Sequence, residues 1–163
     1  MIKKWFLPTL LIIVLFISFF IYNTYRVAPH IKFNTLNLVD LNNQPINLEL
    51  YKGKKLLICF SASWCPNCIE ELDELKSIKS TELADVEVIV ISDESIDKIN
   101  EFKLKRGLPF TFLKMNASFS SIGINSIPTS YIINKKFEVR QENIGYLNWK
   151  DPSTCQHLKK LME

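Results

Sequence analysis

Apolar residues in this chain alternate between strand-like runs and helix-like spacings. Residues 56–60 and 86–91 are largely apolar without alternation, which is typical of parallel strands buried on both faces. Each run precedes apolar residues spaced for one face of a helix, namely Ile69, Leu72, Leu75 and Ile78 after the first run and Ile96, Ile99, Phe102 and Leu104 after the second. This order of strands and helices predicts an α/β fold with right-handed βαβ crossovers.

Shorter segments complete the predicted domain. Residues 33–40 and 46–50 predict a β-hairpin, because the residues between them supply turn chemistry. Residues 130–133 and 137–144 predict a second hairpin, at the far edge of the sheet. The remaining predicted elements are a short strand at 110–115, a short helix at 117–122 and a closing helix at 151–162.

A nearly unbroken apolar stretch at residues 5–22 is about long enough to cross a bilayer. Lys3 and Lys4 precede it, and aromatic residues mark its two ends, where interfacial anchors are usually found. The stretch therefore predicts a transmembrane helix whose N-terminus is on the cytoplasmic side. In a bacterium this arrangement would place the protein in the inner membrane, with the domain facing the periplasm or its equivalent.

The predicted anchor divides the chain into three parts. We expect the anchor at residues 1–26, a short linker at 27–32 and the folded domain at 33–163. A cleaved signal peptide is the alternative, but Arg26-Val27-Ala28 followed by Pro29 is a poor cleavage site.

The overall charge excludes one class of partner. The 163 residues include 20 basic and 17 acidic side chains, and the basic residues form no stripe along the sequence. We therefore expect no nucleic-acid partner. A 47% apolar composition without internal repeats suits one compact domain plus the N-terminal appendage.

Two cysteines separated by two residues, Cys65 and Cys68, lie where the first predicted strand meets its helix. The first turn of a helix has unpaired N–H groups and a partial positive charge, so Cys65 should ionise more easily than a free thiol. Pro66 suits the first helical position. We therefore expect Cys65 to be an attacking thiolate and Cys68, one turn further along the same face, to be a shielded resolving thiol.

Half of a zinc site is the alternative for this cysteine pair, and it would need a second pair of ligands. The other candidate ligands are Cys59, Cys155, His30 and His157, whose spacing offers no such pair. We therefore expect no metal and no other cofactor. We interpret Cys59 and Cys155 as small buried apolar residues, with a bridge between them left open, and both histidines as surface residues.

The pattern Phe60-x-Ala62-x-Trp64-Cys65-x-x-Cys68 resembles the active-site signature of the thioredoxin fold. It is most similar to the membrane-tethered TlpA/ResA/CcmG (DsbE)-like thiol-disulfide oxidoreductases, and the likeness covers residues 33–162. The resemblance implies a thioredoxin-like domain, with a mixed β-sheet flanked by helices and preceded by an N-terminal hairpin. It also implies that Cys65 and Cys68 form a redox-active disulfide.

The same resemblance assigns a role to Pro128, which lies about sixty residues after the cysteine pair, where thioredoxin-like proteins have a cis-proline. It implies a cis Ile127-Pro128 bond beside Cys65. By the same comparison, Trp64, Ile127 and Thr129 would border the substrate-docking surface, with the Ile127 backbone pairing with an extended partner segment. An isolated proline at the start of a strand would otherwise be an ordinary edge residue.

Glu71 is the candidate acid/base residue, because it lies three residues beyond Cys68 and shares its side of the helix. In the resembled reductases a glutamate at this spacing helps to move protons during disulfide exchange. Cytoplasmic thioredoxins have a buried aspartate six residues before the first active-site cysteine, but Cys59 occupies that position here. A solvated surface glutamate is the alternative, and we expect most of the charged residues of this helix to be solvated.

The resemblance implies a membrane-tethered disulfide reductase that acts on protein disulfides by a mixed-disulfide mechanism. It further implies a transmembrane thiol reductase as electron donor and apocytochrome c, or another disulfide-bearing protein, as acceptor during cytochrome c maturation. A disulfide oxidase or isomerase is the alternative within redox chemistry. A non-redox metal chaperone or assembly module on the same fold is the alternative from another class.

Overall fold

The computed structural model describes residues 3–26 and 28–163, except for the side chains of residues 3–7 and 23–26. In these residues it has four α-helices and seven strands, which are α1 Lys3–Arg26, β1 Leu38–Val39, β2 Pro45–Ile46, β3 Lys55–Phe60, α2 Pro66–Ile78, β4 Val86–Ser92, α3 Ile96–Arg106, β5 Thr111–Met115, β6 Thr129–Ile133, β7 Val139–Ile144 and α4 Pro152–Leu161. Short 3₁₀ turns lie at Phe33–Thr35, Leu48–Tyr51 and Phe119–Ile122.

The strands form a mixed sheet in the order β2-β1-β5-β4-β3-β6-β7. Strands β3, β4 and β5 are parallel, as the βαβ pattern predicts, and β6 and β7 form the antiparallel hairpin expected at the far edge. Antiparallel pairing of β6 with β3 places Thr129 opposite Phe60 and Ser130 opposite Cys59. The start of β6 therefore lies beside the end of β3, where the cysteine pair begins.

Two apolar clusters cover the two faces of the sheet, and residues of β3 and β4 alternate between them. The first cluster includes Leu72 and Leu75 of α2, Ile99 of α3, and Leu158 and Met162 of α4. The second is covered by segments outside the α-helices, including the three 3₁₀ turns, through Ile31, Phe33, Leu48 and Phe119. Because β3 is buried on both faces, its sequence has no polar alternation.

Residues expected to form a linker pack against the domain. Ile31 of the predicted linker is buried, and so is Phe33 at the predicted start of the domain, whose ring contacts the Tyr131 ring edge-on with centroids 5.3 Å apart. The Tyr131 hydroxyl donates a hydrogen bond to the Pro29 carbonyl at 2.8 Å. The chain is therefore attached to the sheet from Pro29 onward, before the predicted start of the domain at residue 33.

The N-terminal helix α1 contains Pro8, and its described large apolar side chains from Leu10 to Tyr22 are exposed. Among the described residues, no helix combines the length and the hydropathy needed to cross a membrane. The side chains of Lys3, Lys4, Trp5, Tyr25 and Arg26, and the whole of Val27, lie outside the described residues. The predicted interfacial residues at the ends of the anchor are mostly among them.

The first hairpin is shorter than the sequence predicts. Its paired part is confined to Leu38–Val39 and Pro45–Ile46, and the flanking segments at Phe33–Thr35 and Leu48–Tyr51 are 3₁₀ turns. The predicted helix at 117–122 is likewise a 3₁₀ turn. The other predicted elements of residues 33–163 are confirmed within one or two residues at most of their ends.

Candidate active site

Cys65 and Cys68 form a disulfide at the start of α2, with their Cα atoms 5.2 Å apart. Cys65 is the N-cap residue, and its Sγ accepts a hydrogen bond from the Cys68 backbone N–H at 3.2 Å. Pro66 lies in the first turn, as expected. Both cysteines are buried, but Cys65 keeps 5% of its surface exposed and Cys68 none, so Cys65 is the more accessible of the two. The unpaired N–H groups of α2 would stabilise a thiolate at Cys65.

The loop before β6 lies against the disulfide. The Ile127-Pro128 peptide bond is cis, and the Ile127 carbonyl oxygen lies 3.7 Å from Cys65 Sγ. The Pro128 carbonyl accepts a hydrogen bond from the Gly145 N–H at 2.8 Å. Thr129 is buried, and its hydroxyl donates to the Ser126 carbonyl at 2.7 Å, so its side chain supports the loop from within.

Trp64 is 70% exposed and lies directly before Cys65, beside a shallow groove lined in part by residues of α3. The neighbouring Ser63 is held in place by Glu94, which accepts hydrogen bonds at 2.7 Å from both its backbone N–H and its hydroxyl. This anchorage of the loop preceding Cys65 was not predicted. No sequence spacing connects Ser63 with Glu94, because they meet only when the ends of β3 and β4 are adjacent.

Glu71 is buried, with 1% of its surface exposed. Its Oε1 accepts hydrogen bonds from the Ser130 hydroxyl at 3.0 Å and from the Trp149 indole N–H at 3.3 Å. Its Oε2 is buried and has no hydrogen-bond partner. Burial raises the pKa of Glu71 to about 7, although these two hydrogen bonds and the nearby Leu147 backbone N–H oppose the rise. The alternative of a solvated surface glutamate is therefore wrong for this position.

Cys59 lies at the other side of Ser130, with its Sγ 3.5 Å from the Ser130 hydroxyl. Burial, together with the nearby Glu71 carboxylate, raises the pKa of the Cys59 thiol well above its ordinary value. Cys59 is therefore neutral at physiological pH. Cys59 and Cys155 are both buried free thiols, as interpreted from the sequence, and they form no bridge in this structure.

Glu74 is an exception to the expectation that most charged side chains of α2 are solvated. It is buried, it accepts a hydrogen bond from the Trp149 backbone N–H at 3.1 Å, and it pairs with the Lys150 ammonium at 3.2 Å. Burial alone would raise the pKa of Glu74, but its hydrogen bonds hold it below the ordinary value. The segment at 147–150 is thus fastened to α2 through two carboxylates, Glu71 and Glu74.

The structure brings together the predicted residues Cys65, Cys68, Ile127, Pro128 and Thr129 at one end of the sheet, with Trp64 at the surface and Glu71 beneath. It adds Ser130, Trp149 and Glu74, which sequence reasoning missed. His30 and His157 are exposed, as expected. Among the described residues, no group of three or more His, Cys, Asp or Glu side chains could hold a metal ion.

A mixed sheet, a Cys-x-x-Cys disulfide at a helix N-terminus and a cis-proline beside it define a thioredoxin-fold protein of the thiol-disulfide oxidoreductase class. The chain matches the AhpC/TSA family over residues 26–142, which is more than half of its length. It therefore belongs to that family.

Several relatives have names that agree with this class. Sporulation thiol-disulfide oxidoreductase A of Bacillus subtilis is 29% identical over 119 residues, covering 69% of this chain and 68% of that protein. Thioredoxin-like protein YneN of the same organism is 25% identical over 165 residues, covering 93% and 95% of the two chains. Proteins named thiol-disulfide oxidoreductase ResA also match, which confirms the resemblance drawn from the motif.

One further relative matches only a short part of the chain. An uncharacterized protein of Haemophilus influenzae is 43% identical over 56 residues, which are 34% of this chain and 36% of that protein. Among solved structures, a thiol:disulfide interchange protein of the thioredoxin family from Chlorobium tepidum superimposes with a TM-score of 0.63 at 21% identity. The superposition covers 77% of this chain and 91% of that one, and it confirms the thioredoxin-like fold.

Proposed function

We propose that this protein is a membrane-tethered reductase of protein disulfides on the outer side of the bacterial cytoplasmic membrane. The observation that carries the proposal is the reachable Cys65 beside a buried resolving Cys68, with a buried carboxylate, Glu71, one turn further along the same helix. Such a set contains a nucleophile, a resolving thiol and a group able to exchange a proton near neutral pH.

The first step is attack of the Cys65 thiolate on one sulfur of the partner's disulfide. The Cys65–partner bond forms, the partner's disulfide breaks, and its other sulfur leaves as a thiolate that takes a proton from water. The N–H groups at the start of α2 stabilise the Cys65 thiolate before attack. Cys68 is buried behind Cys65 and does not compete for the partner.

The second step resolves the mixed disulfide. The Cys68 thiol loses its proton to the Glu71 carboxylate and attacks Cys65, so the Cys65–Cys68 disulfide forms and the partner's second thiolate leaves. Glu71 then returns the proton to that thiolate. The partner gains two electrons and two protons, while the protein ends in the disulfide form found in this structure.

The partner segment would lie across the cis-proline loop. The Ile127 carbonyl, 3.7 Å from Cys65 Sγ, offers a backbone acceptor beside the reacting sulfur, and exposed Trp64 offers an apolar contact on the other side. An extended segment carrying the target cysteine would satisfy both contacts. Pro128 cannot donate a backbone hydrogen bond, which keeps this edge open for the partner.

Membrane tethering is supported by the apolar sequence at residues 5–22 and by the exposed apolar side chains of α1 from Leu10 to Tyr22. Lys3 and Lys4 favour a cytoplasmic N-terminus and a domain on the other side. A fusion of the full chain to alkaline phosphatase, together with carbonate extraction, tests this topology. Phosphatase activity and retention in the membrane fraction are expected, and release by carbonate would contradict the tether.

A reductase in an oxidising compartment needs electrons from the cytoplasm. We therefore propose a transmembrane thiol reductase as donor and a protein disulfide as acceptor, with the cysteine pair of apocytochrome c as the first acceptor to test. Reduced protein should convert an oxidised apocytochrome c peptide to its dithiol form with one-to-one stoichiometry. Recovery of the peptide as a disulfide, while the protein reduces another protein disulfide, would remove apocytochrome c from the proposal.

The general test of the function is the exchange reaction itself. Full-length protein, kept in mild detergent because α1 exposes apolar side chains, is reduced, desalted and mixed with oxidised insulin. Rapid appearance of insulin thiols is expected from the wild type and not from the Cys65→Ser variant. Equal rates for both proteins would contradict the proposed role of Cys65.

A further inference from the structure

The hydrogen bonds of Glu71 distinguish its two carboxyl oxygens. Oε1 accepts both the Ser130 hydroxyl at 3.0 Å and the Trp149 indole N–H at 3.3 Å, whereas Oε2 is equally buried but has no hydrogen-bond partner. An indole N–H can only donate, so it fixes Oε1 as an acceptor in either protonation state of Glu71. The unpartnered oxygen is consequently the one at which a proton can be added without breaking an existing bond.

The Ser130 hydroxyl has a single hydrogen, for which two neighbouring acceptors compete. Its distance to Glu71 Oε1 is 3.0 Å and its distance to Cys59 Sγ is 3.5 Å. Cys59 is neutral at physiological pH, so the negatively charged carboxylate attracts the hydrogen more strongly. Ser130 therefore donates to Glu71.

Trp149 has contacts other than its hydrogen bond to Glu71, and these also fix its position. Its backbone N–H donates to Glu74, Lys150 pairs with the same carboxylate, and the ring is buried in the apolar cluster that covers α2. The sheet fixes Ser130 by backbone pairing with Cys59 and Asn143. Two separate parts of the chain, strand β6 and the segment before α4, thus supply donors to Glu71.

We propose that Ser130 and Trp149 are positioning residues that hold Glu71 by Oε1 and leave Oε2 as the oxygen that gains and loses the proton. The inference rests on the proposed function, in which the proton is exchanged with the Cys68 thiol. Both hydrogen bonds stabilise the carboxylate form, as does the nearby Leu147 backbone N–H, so together they keep its proton available near neutral pH despite the burial. The other titratable groups whose charges act near this site, in the part of the chain that the structure describes, are Glu74 of α2, Cys59 of β3 and Tyr146 in the segment before Trp149, whereas Cys68 is held in the disulfide.

The test measures the pKa of Glu71 directly, by carbon NMR of the labelled side-chain carboxyl in the oxidised full-length protein in detergent. Ser130→Ala and Trp149→Phe each remove one donor and keep the backbone, so each should raise the pKa of Glu71 by roughly one pH unit. Ser130→Thr keeps a hydroxyl and should restore the wild-type value. Ser61→Ala is the matched control, because Ser61 is a buried serine whose hydroxyl has no hydrogen-bond partner. An unchanged pKa in both donor-deleted variants would overturn the inference.

A measurement on the wild-type protein covers the case in which a variant does not fold. The Trp149 indole proton donates to Oε1, so its NMR shift should titrate with the same midpoint as the Glu71 carboxyl carbon. A Trp149 signal that does not move through this titration would contradict the hydrogen bond and with it the inference.

The pH dependence of insulin reduction separates this inference from the proposed function. If both hold, the pH at which the exchange rate rises is higher in Ser130→Ala and Trp149→Phe than in the wild type, and it follows the pKa of Glu71. If the pKa of Glu71 moves but the wild type reduces no disulfide, the positioning role stands and the proposed function fails. If the rate profile stays in place although the pKa moves, Oε2 is not the proton-exchanging oxygen, and the inference fails while exchange itself is retained.

Discussion

Replacing Glu71 with glutamine should make the folded protein more stable at alkaline pH. Burial raises the pKa of Glu71 from 4.5 to about 7, so the folded state binds this proton more tightly than the unfolded state does. The Glu71 carboxyl therefore does not lower the free energy of unfolding below about pH 4.5. As the pH rises from 4.5 to about 7, the folded state is progressively destabilised, and above about pH 7 the destabilisation is constant. The rise from 4.5 to about 7, at about 1.4 kcal/mol for each pH unit, corresponds to a cost on the order of 3 kcal/mol.

The amide oxygen of the substituted glutamine would still accept the hydrogen bonds of Ser130 and Trp149, so Glu71→Gln removes the charge while keeping these contacts. We expect urea unfolding of the oxidised full-length protein to give nearly equal free energies for wild type and Glu71→Gln at pH 4. At pH 8 the variant should be more stable by about 3 kcal/mol. Glu70→Gln is the control, since Glu70 is exposed on the same helix and should leave the pH dependence intact. A wild type and Glu71→Gln variant with parallel pH profiles would refute the assignment of a buried, proton-binding Glu71.

Three further substitutions test other parts of the site. Cys68→Ser should trap the mixed disulfide between Cys65 and its substrate. This adduct should appear on non-reducing gels as a heavier band that dithiothreitol removes. Absence of any adduct would count against Cys68 as the resolving thiol. Pro128→Thr should lengthen the lifetime of that mixed disulfide in an otherwise wild-type protein, measured by acid-quenched thiol trapping, and a normal turnover rate would argue against the role of the loop. Cys59→Asp should place a second buried carboxyl near Ser130 and Glu71, and so lower the free energy of unfolding at pH 7 by several kcal/mol. Cys59→Ala should lower it by only about 1–2 kcal/mol. Equal losses in the two variants would mean that positions 59 and 71 do not interact.

The sequence predicted best those features that depend on neighbours along the chain. The unbroken apolar runs identified β3 and β4, the helical spacing identified α2 and α3, and the position of the cysteine pair between strand and helix indicated its chemistry. Pro128 was located by resemblance, since nothing in its local sequence distinguishes a cis-proline from an ordinary edge proline.

The surroundings of Glu71 could not be predicted, because they are assembled from distant segments. Ser130 reaches Glu71 through the register of β6 against β3, and Trp149 through the path of the segment before α4. Neither residue has a periodicity or motif that would connect it with α2. Glu74 was expected in solvent for the same reason, since its burial depends on where residues 147–150 cross the helix.

The packing of the segment before the sheet could not be predicted from its hydrophobic pattern. Ile31 is apolar, but one residue establishes no period, and the stretch at 27–32 next to the apolar N-terminus was predicted as a linker. In the structure Ile31 packs with Phe33 on a face of the sheet that no α-helix among the described residues covers.

The reduction potential of the Cys65–Cys68 pair tests the proposed reductase most directly. Full-length protein in detergent is equilibrated with redox buffers of graded potential, and its thiols are trapped and separated by mass. A potential at or below roughly −230 mV, close to that of thioredoxin, is the predicted result. A potential near about −120 mV, as in strong oxidants, would contradict the reductase and indicate a disulfide oxidase.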